Sequence, residues 1–490
     1  MVRTRANINL LVVVRMMGWL LMIEAVFMAV PLIVSLFYHE PVTVKAFTYS
    51  ALITAGSGAL MTFGIHPRHT EMHRREGLML TAGVWLIFSL FGMLPFLFDN
   101  ALSTVTDAFF EAMSGFTTTG ASVMTDVESA SHGILMWRAI MNWIGGMGII
   151  LFTLAVIPML NHQGGIQLFN AEVTGITHDK LRPRISQTAK SLWLTYVLLT
   201  VTLTVLLWLG PMNAFDAICQ SFSTVSTGGF STRNTSIAWW DSTYVEVVIT
   251  IFMFIGGINV ALIYTALTGR IRALTSNGTV QAYAGVVLVF VAICAIYQWC
   301  NGTFENIGDT FFTLIAAITS TGFGVTNYDA WGPFTTMLLM VLMFCGACAG
   351  STTGGAKIDR MILLVKNTFN EFYRVLHPNS ITAVRVNGKI VPGQTVMKTI
   401  AFLSIYLMIF VAGGIILTAL GLPVLDAMFA SLTAISNIGL GSGITGPEGS
   451  FAVLPDAAKW ILSSLMLIGR LEIFGFLLIF YRPTWKGSWS

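Results

Sequence analysis

Four stretches decide the fold: DAFFEAMSGFTTTGAS (107–122), DAICQSFSTVSTGGFS (216–231), DTFFTLIAAITSTGFG (309–324) and DAMFASLTAISNIGLG (426–441). Each opens on Asp, runs through about a dozen mostly apolar or small residues, and closes on small or polar residues followed by Gly. Aligning Gly120, Gly228, Gly322 and Gly439 puts the Asp-to-Gly interval at 13, 12, 13 and 13 residues, which reads as a one-residue deletion in the second copy. The copies recur at intervals of 108, 94 and 117 residues, and each is followed by an echo: WIGGMG (143–148), FIGGIN (254–259), FCGACAG (344–350) and LIGRLE (467–472). A period repeated four times is the mark of one supersecondary unit used four times.

The surrounding chain fixes the solvent. Of 490 residues, 55% are hydrophobic and only 10% charged, with a mean hydropathy of +0.76, against roughly a quarter charged in an average soluble domain. A soluble enzyme core, a secreted domain and a nucleic-acid binder are excluded as primary readings. A bilayer span needs about 20 apolar residues, and ten stretches qualify, near 9–38, 46–65, 77–98, 134–160, 191–211, 243–268, 280–300, 333–356, 396–421 and 457–481. The four repeated stretches have apolar parts of about 13 residues, reaching as helices only about 20 Å of a core about 30 Å thick. They are expected to be re-entrant. The expected fold is therefore an all-α polytopic membrane protein: an N-terminal two-helix hairpin and four helix–pore-loop–helix repeats around a central pore, with ten transmembrane and four re-entrant helices. The units fall at 1–70 (the hairpin), 71–165, 166–275, 276–375 and 376–490.

Basic residues favour the cytoplasmic side. With both termini inside, 21 basic and 6 acidic residues fall inside, while 4 basic (Lys45, Arg138, Arg233, Lys459) and 15 acidic residues fall outside. The net charge of +3 is thus two opposed fields, −11 outside and +15 inside, with Arg470, Glu24 and Glu472 left in the membrane.

A helix that stops mid-membrane points its last carbonyls, the negative end of its dipole, inward and favours a cation there. Non-helical backbone at that depth is tolerated where it lines protein or a water-filled path. Four such segments around one axis give rings of carbonyl oxygens that can replace the hydration shell of potassium. Gly at the ring position allows a backbone conformation costly for other residues. The opening residues Asp107, Asp216, Asp309 and Asp426 read as N-caps.

On these loops, together with the extra N-terminal helix pair and the basic run LRPRISQTAK (181–190), the chain resembles the superfamily of potassium transporters built from four joined potassium-channel pore units (TrkH/KtrB/HKT). The likeness is most specific to the bacterial Trk-type, TrkH-like membrane subunits. The resemblance implies potassium uptake across the bacterial cytoplasmic membrane, with filter residues Thr118, Thr119 and Gly120; Ser226, Thr227 and Gly228; Ser320, Thr321 and Gly322; and Asn437, Ile438 and Gly439. Gly120 favours potassium over sodium. A second filter Gly occurs only as Gly324 and Gly441, which implies looser discrimination than TVGYG gives. The resemblance further implies a homodimer and a TrkA-like, nucleotide-binding regulatory subunit with RCK domains, for which the basic stretch 357–398 offers a docking surface. Potassium is the transported ion, and no organic cofactor is expected.

Two features bear on gating. Residues 346–356, GACAGSTTGGA, hold no bulky side chain; Gly350, Gly354 and Gly355 weaken helix, and Ser351, Thr352 and Thr353 offer hydroxyls. A broken, pore-lining segment starting at Gly346 is the reading preferred over a close-packed helix interface of small residues. In Trk-type proteins the corresponding segment is an intramembrane loop below the filter. Arg470 occupies the echo position held elsewhere by Gly146, Gly257 and Ala347, and reads as a charge projected beneath the filter. The alternative is an ion pair with Glu472 or contacts with helix C-terminal carbonyls.

Other groups carry less. Cys345 and Cys348 form a CxxC best read as apolar filler, and the five cysteines suggest no disulfide framework. His66, His69 and His73 fit a solvated basic connector. Glu24 is expected to snorkel or pair, and Glu111 occurs in one repeat only. No Walker A, GxGxxG or nucleophile-elbow pattern is present. Among rivals, a small-solute secondary transporter would need discontinuous spanning helices, and an intramembrane enzyme would need convergent catalytic side chains.

Overall fold

The computed structural model describes residues 9–67, 72, 74–146, 148, 185–304, 306–380, 382–447 and 449–481. The chain opens on an antiparallel helix pair, Leu10–Phe37 and Pro41–Phe63. The two cross where both lack side chains: a Cβ on Gly18 would lie 2.7 Å from the Gly58 carbonyl oxygen, and one on Gly58 would lie 2.8 Å from that of Gly18. Small residues let membrane helices approach to backbone contact.

Four units of one design follow. The first has an outer helix, Arg74–Gly92 extended by Leu94–Phe98, a pore helix, Val105–Phe116, and an inner helix, His132–Gly146. The second comprises Ile185–Leu209, Ala214–Val225 and Thr243–Gly256 with Val260–Leu267. The third comprises Gly278–Asn301, Ile307–Ile318 and Pro333–Cys345, then an amphipathic helix, Ile358–Leu376. The fourth comprises Gly393–Ala419, Val424–Ile435 and Asp456–Arg470 with Phe474–Phe480. Among the described residues the only sheet is a two-residue hairpin, Arg385–Val386 against Lys389–Ile390. Each pore helix has 12 residues, about 18 Å at 1.5 Å per residue, so each re-enters the face it left.

Five described helices are long and apolar enough to span, and two bent pairs bring this to seven. Pro41–Phe63, His132–Gly146 and Pro333–Cys345 occupy the other three of the ten expected places. Two spans expected to be continuous are broken. Thr243–Gly256 meets Val260–Leu267 at 108°, and Asp456–Arg470 meets Phe474–Phe480 at 110°. In the first, Asn259 restarts the helix by accepting the Ala261 amide at 2.8 Å; in the second, Glu472 and Ile473 adopt φ of 49° and 56°. Hydropathy records depth but not direction, so neither bend was visible in it.

The pore-helix caps also differ from expectation. The N-caps are Thr104, Asn213, Asn306 and Pro423, and each Asp stands three residues further on, in the first turn. Thr104 and Asn213 accept the amides of Asp107 and Asp216 and donate back to their carboxylates, a reciprocal capping arrangement. The carboxylate then meets the positive end of the dipole.

Among the described residues no repeat holds a core of its own. One apolar cluster joins the N-terminal pair, the first repeat, Cys219 of the second and part of the fourth; a second joins the second and third repeats with more of the fourth; a small third one packs Leu363 against Val384, Val386, Val391 and Val396. Glu24 lies inside the first cluster with neither expected outlet. It is 0% exposed, and neither carboxyl oxygen has a hydrogen-bond partner among the described residues. Its pocket is lined by Leu20, Phe27, Trp85, Phe88 and Ile144. A buried polar group without a partner costs roughly 1–3 kcal/mol, so Glu24→Met, similar in volume, should raise the thermal midpoint of the detergent-solubilised protein. A lowered midpoint would contradict this account.

Candidate ion-conduction site

The four pore helices end at Phe116, Val225, Ile318 and Ile435, and the chain then turns in the same way four times. Thr118, Thr227, Ser320 and Asn437 take φ of 52–54°, and two residues later Gly120, Gly229, Gly322 and Gly439 take φ of 73–82°. The geometry corrects the register of the second copy. Its equivalent of Gly120 is Gly229, thirteen residues after Asp216 as in the other repeats, so no residue is deleted; Ser226 is the C-cap, and the matching triplet is Thr227, Gly228 and Gly229. A GG pair offers two alignments to a sequence reading, and the one that minimises polar mismatch is not the one the backbone uses.

The corrected triplets close a circuit. A Cβ added to Gly120 would lie 2.3 Å from the carbonyl oxygen of Gly228; on Gly229, 2.1 Å from that of Thr321; on Gly322, 1.9 Å from that of Ile438; and on Gly439, 2.2 Å from that of Thr119. The middle carbonyl of each loop therefore sits against the Gly of its neighbour, and the order 1-2-3-4 returns to 1. Hydroxyls reinforce the turn, with Thr117 and Thr119 paired at 2.8 Å and Thr319 and Thr321 at 2.8 Å. Asn437 joins the fourth loop to the first by donating to Thr119 Oγ1 at 3.1 Å.

Directly behind the circuit lies the 346–357 segment. Gly346, Gly350 and Gly355 have φ of 63°, 77° and 77°, and none of the segment is helical. The Gly354 amide donates to Ser320 Oγ at 2.7 Å, and a Cβ at Gly354 would lie 1.9 Å from the Ser436 carbonyl oxygen. Thr352 Oγ1 lies 3.2 Å from the Thr227 hydroxyl and 3.4 Å from the carbonyls of Val225 and Gly256. Ser351 and Thr353 pair their hydroxyls at 2.7 Å. One loop thus touches three of the four pore-loop turns. The bend in the second repeat supplies its anchor: Cys348 donates to the Gly257 carbonyl at 3.0 Å, Val260 to Gly350 at 3.1 Å, and Asn259 to Ala349 at 2.8 Å. The groups freed by breaking one helix are those that hold the loop.

Arg470 reaches across this site, donating to the Gly145 carbonyl and, at 3.3 Å, to that of Thr352, with its guanidinium 5.5 Å from the Trp85 ring. Its ion-pair alternative, Glu472, binds Arg360 instead, and Arg360 stacks 3.9 Å over Phe402. Buried Lys357 donates to Thr353, and Asp359 accepts the Ala349 amide at 2.6 Å and the Thr279 hydroxyl at 3.0 Å. These residues and Asn259 were not singled out from sequence. The signal lay in a small-residue run ending abruptly in KIDR (357–360).

A second omission is the buried aromatic on each outer helix: Trp85, Tyr196, Tyr283 and Tyr406. Tyr196 and Tyr283 hydroxyls fill the space a Cβ would need at Gly146 and Gly257, and Tyr406 pairs with Ser436 at 2.6 Å. Two of the four basic residues that fall outside are buried. Arg138 pairs with Glu111 at 2.8 Å, and Lys459 with Asp107 at 2.6 Å. At the mouth, exposed Asp126 has its carboxyl held below the usual range by hydrogen bonds from Asn234 and Ser129, which keeps it ionised. His69 and His73, residues 181–184 of the basic run and the 165/166 boundary lie outside the described residues.

Residues 39–281 and 304–486 match the profile of the TrkH family, described as a cation transport protein. The chain is 35% identical over 481 residues to the Trk system potassium uptake protein TrkH of Salmonella typhimurium, covering 97% of this chain and 99% of that one. It is 33% identical over 482 residues to the Trk system potassium uptake protein TrkG of Escherichia coli, covering 97% and 98%. Its structure is similar to the crystal structure of the potassium transporter TrkH from Vibrio parahaemolyticus, with a TM-score of 0.88 at 31% identity, over 98% of this chain and 100% of that one.

The corrected register is testable by two single substitutions. Gly229→Ala adds a Cβ at positive φ, costing roughly 1–2 kcal/mol, against the fixed Thr321 backbone, and should reduce rubidium uptake to background. Gly228→Ala keeps an ordinary φ and meets first the Asn142 side chain, so it should retain a measurable fraction. A greater loss at Gly228 than at Gly229 would overturn the corrected register.

Proposed function

Because the chain belongs to the TrkH family of cation transport proteins, we propose that it is a potassium uptake protein of the bacterial cytoplasmic membrane, conducting along the axis of the closed loop circuit. The single observation that carries this reading is the circuit itself: four nearly identical non-helical turns at the buried ends of half-span helices, stacked carbonyl against Gly. Such turns can exchange the hydration shell of a dehydrated cation for backbone oxygens.

Thr118, Thr119 and Gly120 of the first loop, Thr227, Gly228 and Gly229 of the second, Ser320, Thr321 and Gly322 of the third, and Asn437, Ile438 and Gly439 of the fourth form the filter. The 346–357 loop and Arg470 form the barrier below it. An arginine there raises the cost of a passing cation, and its bond to the Thr352 carbonyl holds the loop closed. Both termini are cytoplasmic, the acidic mouth concentrates cations, and the membrane potential supplies about 2.3 kcal/mol per charge per 100 mV. The amphipathic helix Ile358–Leu376, tied to the loop through Asp359, receives a TrkA-like RCK subunit, and the protein works as a homodimer.

A second reading, cation symport coupled to protons or sodium, draws support from the bent inner helices, since broken spans also build the sites of secondary transporters. Reversal potentials in potassium gradients separate the two: a value at the potassium equilibrium potential favours a pore, and a stoichiometric displacement favours coupling. The primary test is rescue of a potassium-uptake-deficient strain on low-potassium medium, followed by rubidium flux into proteoliposomes. Absence of rescue with a cognate regulatory subunit, together with absence of rubidium flux, would refute potassium uptake. Within the reading, Arg470→Ala should raise basal rubidium flux several-fold and blunt its regulation, and unchanged flux and regulation would remove Arg470 from the gate.

A further inference from the structure

The four loops share a turn but are not held alike. Fifteen residues after each opening Asp stand Ser122, Ser231, Gly324 and Gly441, on the strand that leaves the circuit toward the mouth. In the third and fourth loops this position is held by neutral groups: the Gly324 carbonyl accepts the Ile237 amide at 3.1 Å, and the Gly441 carbonyl accepts the Tyr328 hydroxyl at 2.5 Å. In the first two loops it is held by charge. Glu111, one turn after Asp107 on the first pore helix, accepts the Ser122 hydroxyl and the Val123 amide, both at 2.9 Å. Arg138, from the inner helix, pairs with Glu111 at 2.8 Å, donates to Ser122 Oγ at 3.0 Å and reaches the Ser231 carbonyl of the neighbouring loop at 2.9 Å. Its guanidinium lies 4.2 Å over Phe230.

Glu111 is 0% exposed and Arg138 2% exposed, so the pair stands in a low-dielectric site with its bonds directed at loop backbone or at Ser122. The repeat symmetry supplies an internal control. At the position of Glu111 the other copies carry Gln220, Thr313 and Ala430. Gln220 donates to Ser231 Oγ at 2.7 Å, while the Thr313 hydroxyl has no partner among the described residues. Carboxylates also meet later residues of the second and fourth outgoing segments, where Asp216 accepts the Thr232 hydroxyl at 2.7 Å and Asp329 accepts the Ser442 hydroxyl and the Gly443 amide, both at 3.0 Å, but among the described residues a fully buried Glu–Arg pair directly behind the loop occurs in the first quadrant alone.

We propose that Glu111 and Arg138 are positioning residues for ion discrimination, fixing the outgoing strands of the first two loops and thereby the spacing of the carbonyls at Thr119 and Gly228. The proposal rests on the circuit being a potassium filter. Charge-assisted hydrogen bonds are shorter and about twice as strong as neutral ones, so this quadrant resists the contraction that a smaller cation would otherwise draw from a flexible ring. With the brace removed, the first two loops keep their positive-φ turns but gain freedom to close around sodium.

Removing one partner leaves an unpaired buried charge, whereas replacing both by neutral groups of similar volume is often tolerated. The test is therefore the double variant Glu111→Gln with Arg138→Met, reconstituted as the full chain, with reversal potentials in mixed potassium and sodium and thermal midpoints read in parallel. The double variant is expected to conduct with its sodium-to-potassium permeability ratio raised about tenfold, the scale of losing one charge-assisted bond. Ser122→Ala, which removes only the shared hydroxyl, should shift the ratio in the same direction by less and serves if the double variant does not fold. A wild-type ratio in a folded double variant, or in Ser122→Ala where the double variant is unfolded, overturns the proposal, including when the thermal midpoint falls. An absence of potassium flux in the wild-type protein overturns the filter reading beneath it.

Discussion

The structure depends on four contacts in which a carbonyl oxygen of one loop occupies the space where the next loop would carry a Cβ. The circuit admits no side chain at Gly120, Gly229, Gly322 or Gly439, and it admits no repeat to move alone, since each loop is both wall and neighbour. At bilayer depth, backbone that a shift turns away from its protein partners and from any water-filled path is left unsatisfied at a high cost. The outer helices, pore helices and cross-repeat bonds are arranged to present four turns to one another at this separation. That explains why the two large apolar clusters cross repeat boundaries rather than following them.

Below the circuit the approximate fourfold order gives way. The inner helices of the second and fourth repeats bend by 108° and 110°, and the third is interrupted by the 346–357 segment. The bend at Gly257–Asn259 exposes a carbonyl and an amide that the third repeat's loop takes up. The fourth contributes Arg470 to the loop's Thr352 carbonyl and, through Glu472, a partner for Arg360 at the loop's far end. Breaking helices in a membrane is costly unless each freed group finds a partner, and here the breaks satisfy one another across repeats. Asp359 then carries the loop's position to a helix that leaves the bundle.

Much of this was legible in the sequence because period and hydropathy are strong signals. Half-span helices ending in Thr- or Ser-rich turns, the helix pair before the repeats and the small-residue loop all stand where the residues imply. What escaped was fixed by contact. A GG pair left the second loop's register open by one residue, and only the Thr321 carbonyl against Gly229 decides it. Asp at the head of each pore helix was read as a cap, although Thr104, Asn213 and Asn306, three residues earlier, are the capping types. Topology places Arg138 and Lys459 outside but does not give their partners, which are 27 and 352 residues away in sequence and lie outside any window. Glu24 resisted for the opposite reason, since neither oxygen finds a partner among the described residues.

Joining four pore units in one chain also changes what a pore can contain. In four identical subunits any feature near the axis occurs four times. Four copies of Arg470 facing one axis would repel one another in a low dielectric, and four 346–357 loops would compete for the space that one fills against three turns. Four Glu111–Arg138 pairs would stiffen every quadrant alike. Covalent linkage removes that constraint, because each repeat can diverge at positions behind and below the circuit while the turns themselves stay matched. The distribution of differences follows this rule. The positive-φ pattern is common to all four loops, whereas Arg470, the buried Glu111–Arg138 pair and the 346–357 loop each occur once among the described residues. Uniformity is kept where an ion would need equal oxygens on all sides, and asymmetry is concentrated where one arginine, one loop and one outgoing helix can act as a unit.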